Sequence, residues 1–202
     1  MYDATHSMLE LPHDRRGLIF DCDGTLVDSM PLHVRLWNEC LAEYCVELSE
    51  DFINTHAGKP TDVIVQIINA QRGLEIDPIA FEREKESRYR ELIHEVGPIE
   101  PVVAAADHFR WHFPMAVVSG GVRANVEASL RSIDAIDWFQ TILTADDPIP
   151  PKPAPDLFLT AAERLGVPPE NCHVFEDADA GLEAARAAGM TVTDVRDLLV
   201  AR

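Results

Sequence analysis

The sequence predicts an α/β protein, a doubly wound, Rossmann-like parallel-sheet core with an inserted helical cap subdomain, and three observations predict it. Short apolar runs recur along the chain, each ending in a polar or acidic turn. Helical patterns separate the later runs, two of them closed by glycine. Between the first and second runs lies a stretch of roughly 65 residues with helical stripes and no convincing strand.

Gly17-Leu18-Ile19-Phe20 enters an acidic, glycine-containing turn, the pattern of a buried parallel strand feeding a functional loop. After Pro31, a favoured first-turn residue, Leu32, Leu36, Trp37, Cys40, Leu41 and Tyr44 recur at near-helical spacing. Val63, Ile64, Ile67 and Ile68 form a second stripe after Pro60, and a third segment, 81–95, is heavily charged. Later strands are expected at Met115-Ala116-Val117-Val118, Thr141-Ile142-Leu143, His173-Val174-Phe175 and Thr191-Val192-Thr193. Helices are expected over 122–133, 156–165 and 182–188, the last two capped by Gly166 and Gly189. Residues 1–30 and 98–202 are therefore assigned to the core and 31–97 to the cap, with junctions near Ser29 to Leu32 and Gly97 to Val102.

The 202 residues suffice for a sizeable core, and 17 Lys plus Arg against 35 Asp plus Glu give a net charge of −18. Such an excess repels phosphate backbones and anionic headgroups, which argues against nucleic acid and membranes as partners. Cys22, Cys40, Cys45 and Cys172 show neither a disulfide framework nor a CxxC pair, and read as small buried apolar residues. Residues 1–16 lack the apolar run of a signal peptide, and no stretch approaches the roughly 18 apolar residues of a spanning helix. A soluble, cytoplasmic protein is expected, and the sequence leaves its oligomeric state open, with a monomer favoured. Trp37, Trp111 and Trp138 are expected to pack, and His173 needs no ligand role.

Chemistry concentrates in four segments. Asp21-Cys22-Asp23-Gly24-Thr25-Leu26-Val27-Asp28-Ser29 follows the first strand, where open α/β sheets bind ligands. Extended residues at i and i+2 point the same way, so Asp21 and Asp23 face one reacting group, and a divalent cation relieves their repulsion. The plain alternative is an acidic turn bent at Gly24. Val117-Val118-Ser119-Gly120-Gly121, Pro151-Lys152-Pro153-Ala154-Pro155-Asp156 and Glu176-Asp177-Ala178-Asp179-Ala180-Gly181 follow in order. Each taken alone also has a plain reading: a turn, a surface lysine and an acidic helix cap.

Together these four segments resemble the successive motifs of the haloacid dehalogenase superfamily, most of whose members transfer phosphoryl groups. The run Ala184-Ala185-Arg186-Ala187-Ala188-Gly189-Met190 with Asp194-Val195-Arg196 extends the resemblance toward the β-phosphoglucomutase-like phosphatases, most closely their YqaB-type branch, which hydrolyses fructose 1-phosphate and 6-phosphogluconate. The resemblance implies a small-molecule phosphate ester as substrate. Asp21 is then the nucleophile that forms an aspartyl-phosphate, and Asp23 the general acid and base. Ser119 and the Gly120 N–H hold phosphoryl oxygens, and Lys152, in a loop stiffened by prolines, supplies positive charge. Mg²⁺ suits the all-oxygen donors Asp21, the Asp23 carbonyl and Asp177, with Glu176 as a ligand or as the holder of a metal-bound water.

In the cap, His33 matches a hinge histidine of the mutases: it is either a gate engaging Asp23 or a histidine satisfied by backbone. Lys85, matching a substrate-binding cap lysine, either contacts substrate or belongs to a solvated, ion-paired helix face. Lys59, in Ala57-Gly58-Lys59-Pro60-Thr61, is either a contact to substrate or an exposed loop lysine. Thr61 stands where mutases carry an arginine that grips a second phosphate, which favours hydrolysis of a monophosphate over a mutase. The rivals are a sugar phosphomutase and a catalytically idle, metal-binding regulatory protein.

Overall fold

The computed structural model describes residues 14–199. Five parallel strands, β1 (Gly17–Phe20), β2 (Met115–Val118), β3 (Thr141–Leu143), β4 (Cys172–Glu176) and β5 (Thr191–Asp194), form one sheet in the order β3-β2-β1-β4-β5. In the central strand Leu18, Ile19 and Phe20 are all fully buried, because helices cover both faces. Leu18 and Phe20 join Val117 and Phe175 against α5 (Glu100–Phe109) and α6 (Arg123–Ser132). Ile19, Ala116 and Val174 face the opposite way, onto α7 (Asp156–Leu165) and α8 (Asp179–Ala187). The α/β, doubly wound parallel sheet expected from the sequence is present.

Between β1 and α5 lie α1 (Met30–Leu41), α2 (Glu50–His56), α3 (Thr61–Arg72) and α4 (Pro78–Glu91). These four share a second, smaller core of Trp37, Leu41, Ile53, Ile64, Ile68 and Phe81. Local chemistry sets their ends. Pro31 opens α1, Ser49 Oγ accepts from Phe52 N at 3.1 Å at the start of α2, and Asp77 Oδ1 accepts from Ile79 N and Ala80 N ahead of α4. The two connections to the sheet run side by side: Asp28 N donates to the Gly97 carbonyl and Ile99 N to the Leu26 carbonyl, each at 2.9 Å.

Several expectations shift. α2 and α5 were not expected, being too short or too alanine-rich to show a stripe. α8 begins at Asp179 and α6 at Arg123, within three residues of expectation. Cys22, Cys40 and Cys172 are buried, but Cys45 is exposed, in a left-handed conformation that ends the short turn following α1. Trp37 packs; Trp111 does not, being 77% exposed beside Arg110. The charged segment 81–95 is the largest departure: Phe81, Lys85, Glu86 and Tyr89 of α4 are all buried. Among the described residues no helix is long and apolar enough to cross a membrane.

Candidate active site

The carboxyl ends of β1, β2 and β4 deliver Asp21, Ser119, Glu176 and Asp177 to one edge of the sheet, and the loop before α7 adds Lys152. Lys152 is fully buried at its ammonium, which donates to Asp21 Oδ1 at 2.7 Å and to Glu176 Oε2 at 2.6 Å. The other Glu176 oxygen accepts from Ala178 N at 3.0 Å, while Asp177 Oδ1 accepts from Thr25 Oγ1 at 2.8 Å. Two glycines make this packing possible. A Cβ on Gly181 would collide with the Glu176 carboxylate, and Gly24, at φ +83°, turns directly beneath Asp177.

One ammonium faces three carboxylates here. Asp21, Glu176 and Asp177 bring ligand oxygens within 4.8 Å of one another. Burial raises the Asp21 carboxyl well above its ordinary range, and the negative charges of Glu176 and Asp177 add to it against Lys152. Asp177 is pushed up to about 7, first by burial and then by Glu176. Burial alone would weaken the Lys152 proton, yet the two paired carboxylates raise it above the usual lysine range. A close, buried, all-oxygen donor set with surplus negative charge fits a hard divalent cation.

Asp23 is held differently. Its Oδ1 accepts from Ser29 Oγ at 2.7 Å, lies 3.3 Å from His33 Nε2 and receives a longer contact from the Tyr89 hydroxyl at 3.4 Å. Burial raises its carboxyl, but His33, the Ser29 hydrogen bond and the Lys85 charge outweigh that and bring it down to about 2. His33 stacks flat on Tyr89, ring centroids 4.6 Å apart, and its Nδ1 lies 3.4 Å from Lys85 Nζ. An ammonium only donates, so Nδ1 accepts and the ring proton sits on Nε2, pointing at Asp23. Of the two readings of His33, the contact with Asp23 is the one observed.

Asp21, Asp23 and Ser119 line one side of a cavity of about 80 Å³, and Lys59, Lys85 and Glu86 line the other. Ser119 Oγ accepts from Gly121 N at 3.0 Å, leaving its own proton to donate. Gly120 abuts the Gly58 carbonyl so closely that a Cβ would overlap it, which sets the 57–61 loop over the site. Asp21, Asp23, His33, Lys59, Lys85, Ser119, Gly120 and Glu176, all singled out from the sequence, line the cavity, and Lys152 and Asp177 stand behind it against Asp21 and Glu176. The solvated reading of Lys85 fails, because it is 2% exposed and pairs with Glu86 at 2.8 Å. Several partners were not assigned from the sequence. Thr25 and Ser29 stood inside the first quoted motif and were legible there, whereas Tyr89, Glu86 and Asn125, whose Nδ2 donates to Glu86 Oε2, carried no signal that separates a buried polar group from an exposed one.

The profile of the haloacid dehalogenase-like hydrolases matches residues 18–195. The fructose-1-phosphate phosphatase YqaB of Escherichia coli K12 is 41% identical over 181 residues, covering 89% of this chain and 96% of that one. A hydrolase from Pseudomonas syringae superposes with a TM-score of 0.78 at 26% identity, covering 88% of this chain and 82% of its own. A β-phosphoglucomutase from Clostridium difficile, at TM-score 0.77 and 24% identity over 92% of this chain and 87% of its own, shares the fold. The matched span contains every carboxylate of the site together with Ser119 and Lys152, and the chain belongs to the haloacid dehalogenase-like hydrolase family.

Proposed function

We propose that this phosphoric monoester hydrolase acts on a small phosphorylated sugar or sugar acid, of the fructose 1-phosphate or 6-phosphogluconate type, through an aspartyl-phosphate with Mg²⁺. One observation carries the reading: Asp21, Asp23 and Ser119 share a small cavity closed from the other side by residues of 31–97. We assign 31–97 as the cap that closes on substrate, and 1–30 with 98–202 as the catalytic core.

Asp21 Oδ1 is engaged by Lys152, so Oδ2 is the attacking oxygen. It forms a bond to phosphorus as the bond from phosphorus to the leaving sugar oxygen breaks, dividing one displacement into two. The leaving oxygen takes a proton from Asp23, whose Oδ2 faces the Ser119 and Gly121 side while Oδ1 stays tied to Ser29 and His33. A carboxyl at about 2 holds no proton in the free enzyme, but a dianionic phosphate facing it raises its affinity for one. Asp23 then takes a proton from the water that releases phosphate from Asp21. Ser119 and the Gly120 N–H bind the non-transferring oxygens, and Lys152 offsets their charge. Asp21, the Asp23 carbonyl and Asp177, with Glu176 directly or through water, would hold Mg²⁺, which when bound neutralises the phosphoryl group.

Phosphate release from a panel of sugar phosphates, sugar-acid phosphates and nucleotides with Mg²⁺ tests this. A sugar phosphate should be preferred, and Asp21→Asn should lower kcat by more than about 10³-fold. Isomerisation without phosphate release would mark a mutase, and substantial turnover by the Asp21→Asn variant would make water the direct nucleophile.

A further inference from the structure

The cap wall of the cavity holds a buried carboxylate that phosphoryl transfer does not use. Glu86 is 7% exposed, and each oxygen is committed. Oε1 accepts from Lys85 Nζ at 2.8 Å and from Thr61 Oγ1 at 2.7 Å, and Oε2 accepts from Asn125 Nδ2 at 2.6 Å. Asn125 lies on α6 of the core, and its own Oδ1 accepts from Arg90 at 2.6 Å, so the amide cannot turn round. A chain of fixed polarity, Arg90 to Asn125 to Glu86, thus anchors one negative charge on the wall opposite Asp21 and Ser119.

That charge sets the character of the wall. Lys85 would otherwise present a free ammonium to the part of the substrate remote from the transferred phosphate. Here its donors go to Glu86 and to His33, with the Trp37 ring 5.2 Å beneath. Lys59 also lines this wall and makes no ion pair among the described residues, so the wall carries two ammoniums and one carboxylate. Without Glu86 it would suit a second anionic group. With it, the Lys85 charge is neutralised, one uncompensated ammonium remains at Lys59, and the Thr61 oxygen is left to accept from a sugar hydroxyl. We infer that Glu86 is a specificity-determining residue that selects sugar monophosphates over sugar bisphosphates, whose remote end carries a second phosphate. This rests on the sugar-phosphatase reading above and narrows it.

The test compares kcat/KM for fructose 1-phosphate and fructose 1,6-bisphosphate, which differ by one remote phosphate. The variants are Glu86→Gln and the charge-relocating pair Glu86→Gln with Asn125→Asp. The pair keeps the chain of donors and acceptors and the net charge, moving only the carboxylate off the wall, so it guards against misfolding of the single variant. The ratio of bisphosphate to monophosphate efficiency should rise about tenfold or more in Glu86→Gln, the scale of one unit charge removed at close range, and by less in the double variant, whose carboxylate moves only to the next side chain, beside Arg90. It should do so mainly through KM for the bisphosphate. An unchanged ratio in folded, active variants overturns the inference and leaves the phosphatase reading intact, as does loss of both activities in a folded double variant. A wild-type enzyme that releases phosphate from neither sugar overturns the inference, and one that also releases none from the rest of the panel sinks the phosphatase reading with it.

Discussion

Lys152 is the residue on which the charge balance of the site turns. Its ammonium, wholly buried, is the only cation touching Asp21 and Glu176 among the described residues. Breaking a buried pair leaves its partners charged and unsolvated, at a cost of about 3–5 kcal/mol. Lys152→Ala should therefore destabilise the fold in thermal melts at pH 7 by several degrees as well as lowering turnover by at least about 10²-fold. Full activity in that variant would remove Lys152 from the mechanism. Added Mg²⁺ should recover part of the lost melting temperature, since a divalent cation among the three carboxylates relieves the same repulsion. Lys152 was legible in the sequence because four prolines and a neighbouring motif framed it. Glu86 was not, because Glu82-Arg83-Glu84-Lys85-Glu86 reads the same whether the helix face is wet or dry, and only the position of α6 makes it dry.

At the scale of elements, β4 joins the site to the sheet, and it carries a titratable group three residues before Glu176. His173 is 3% exposed between two hydroxyls, with Thr191 Oγ1 at 2.7 Å and Thr193 Oγ1 at 2.9 Å. Burial, with a smaller push from the Arg15 charge, lowers its proton affinity from 6.5 to about 4. The folded state thus resists protonation while the unfolded chain accepts it, so the native state gains from neutral His173 above pH 6.5. That gain is lost as pH falls from 6.5 toward 4, at most about 3 kcal/mol. Urea unfolding of wild type and His173→Gln at pH 7 and at pH 4.5 checks it: the wild-type advantage should shrink by about that amount in acid. An advantage independent of pH would show that the imidazole does not titrate across the transition. The strands and glycine-capped helices were legible because burial on both faces forces continuous apolar runs, and Gly166 and Gly189 mark where the chain reverses. α2 and α5 were not, since seven residues hold too few turns for a stripe, and the Ala105 and Ala106 side chains add little contrast to α5.

The whole molecule is two packed cores joined by paired connectors, and their contact over the site is made by backbone as much as by side chains. Gly58, at φ +80°, lays its carbonyl on Gly120, the residue whose N–H is assigned to a phosphoryl oxygen. Nearby, the Tyr89 hydroxyl meets Ser129 Oγ at 2.9 Å, tying α4 to α6. No sequence pattern announces a contact between two glycines about 60 residues apart, because it depends on how two separately folded units meet. It nevertheless makes a sharp prediction. Gly120 lies outside the left-handed region, so alanine is tolerated by its own backbone, and the atoms nearest the added methyl belong to Gly58, its carbonyl oxygen first. Gly120→Ala should leave each core folded, with stability within about 1 kcal/mol of wild type, while forcing the 57–61 loop to stand off the site. Displacement of about 1 Å at the reacting groups is enough to lower kcat/KM for a sugar phosphate about 10²-fold. Susceptibility to limited proteolysis at the connectors near Ser29 and Gly97 should rise in parallel. If kcat/KM and proteolysis both stay at wild-type values, closure of this loop over the cavity is not part of the catalytic cycle.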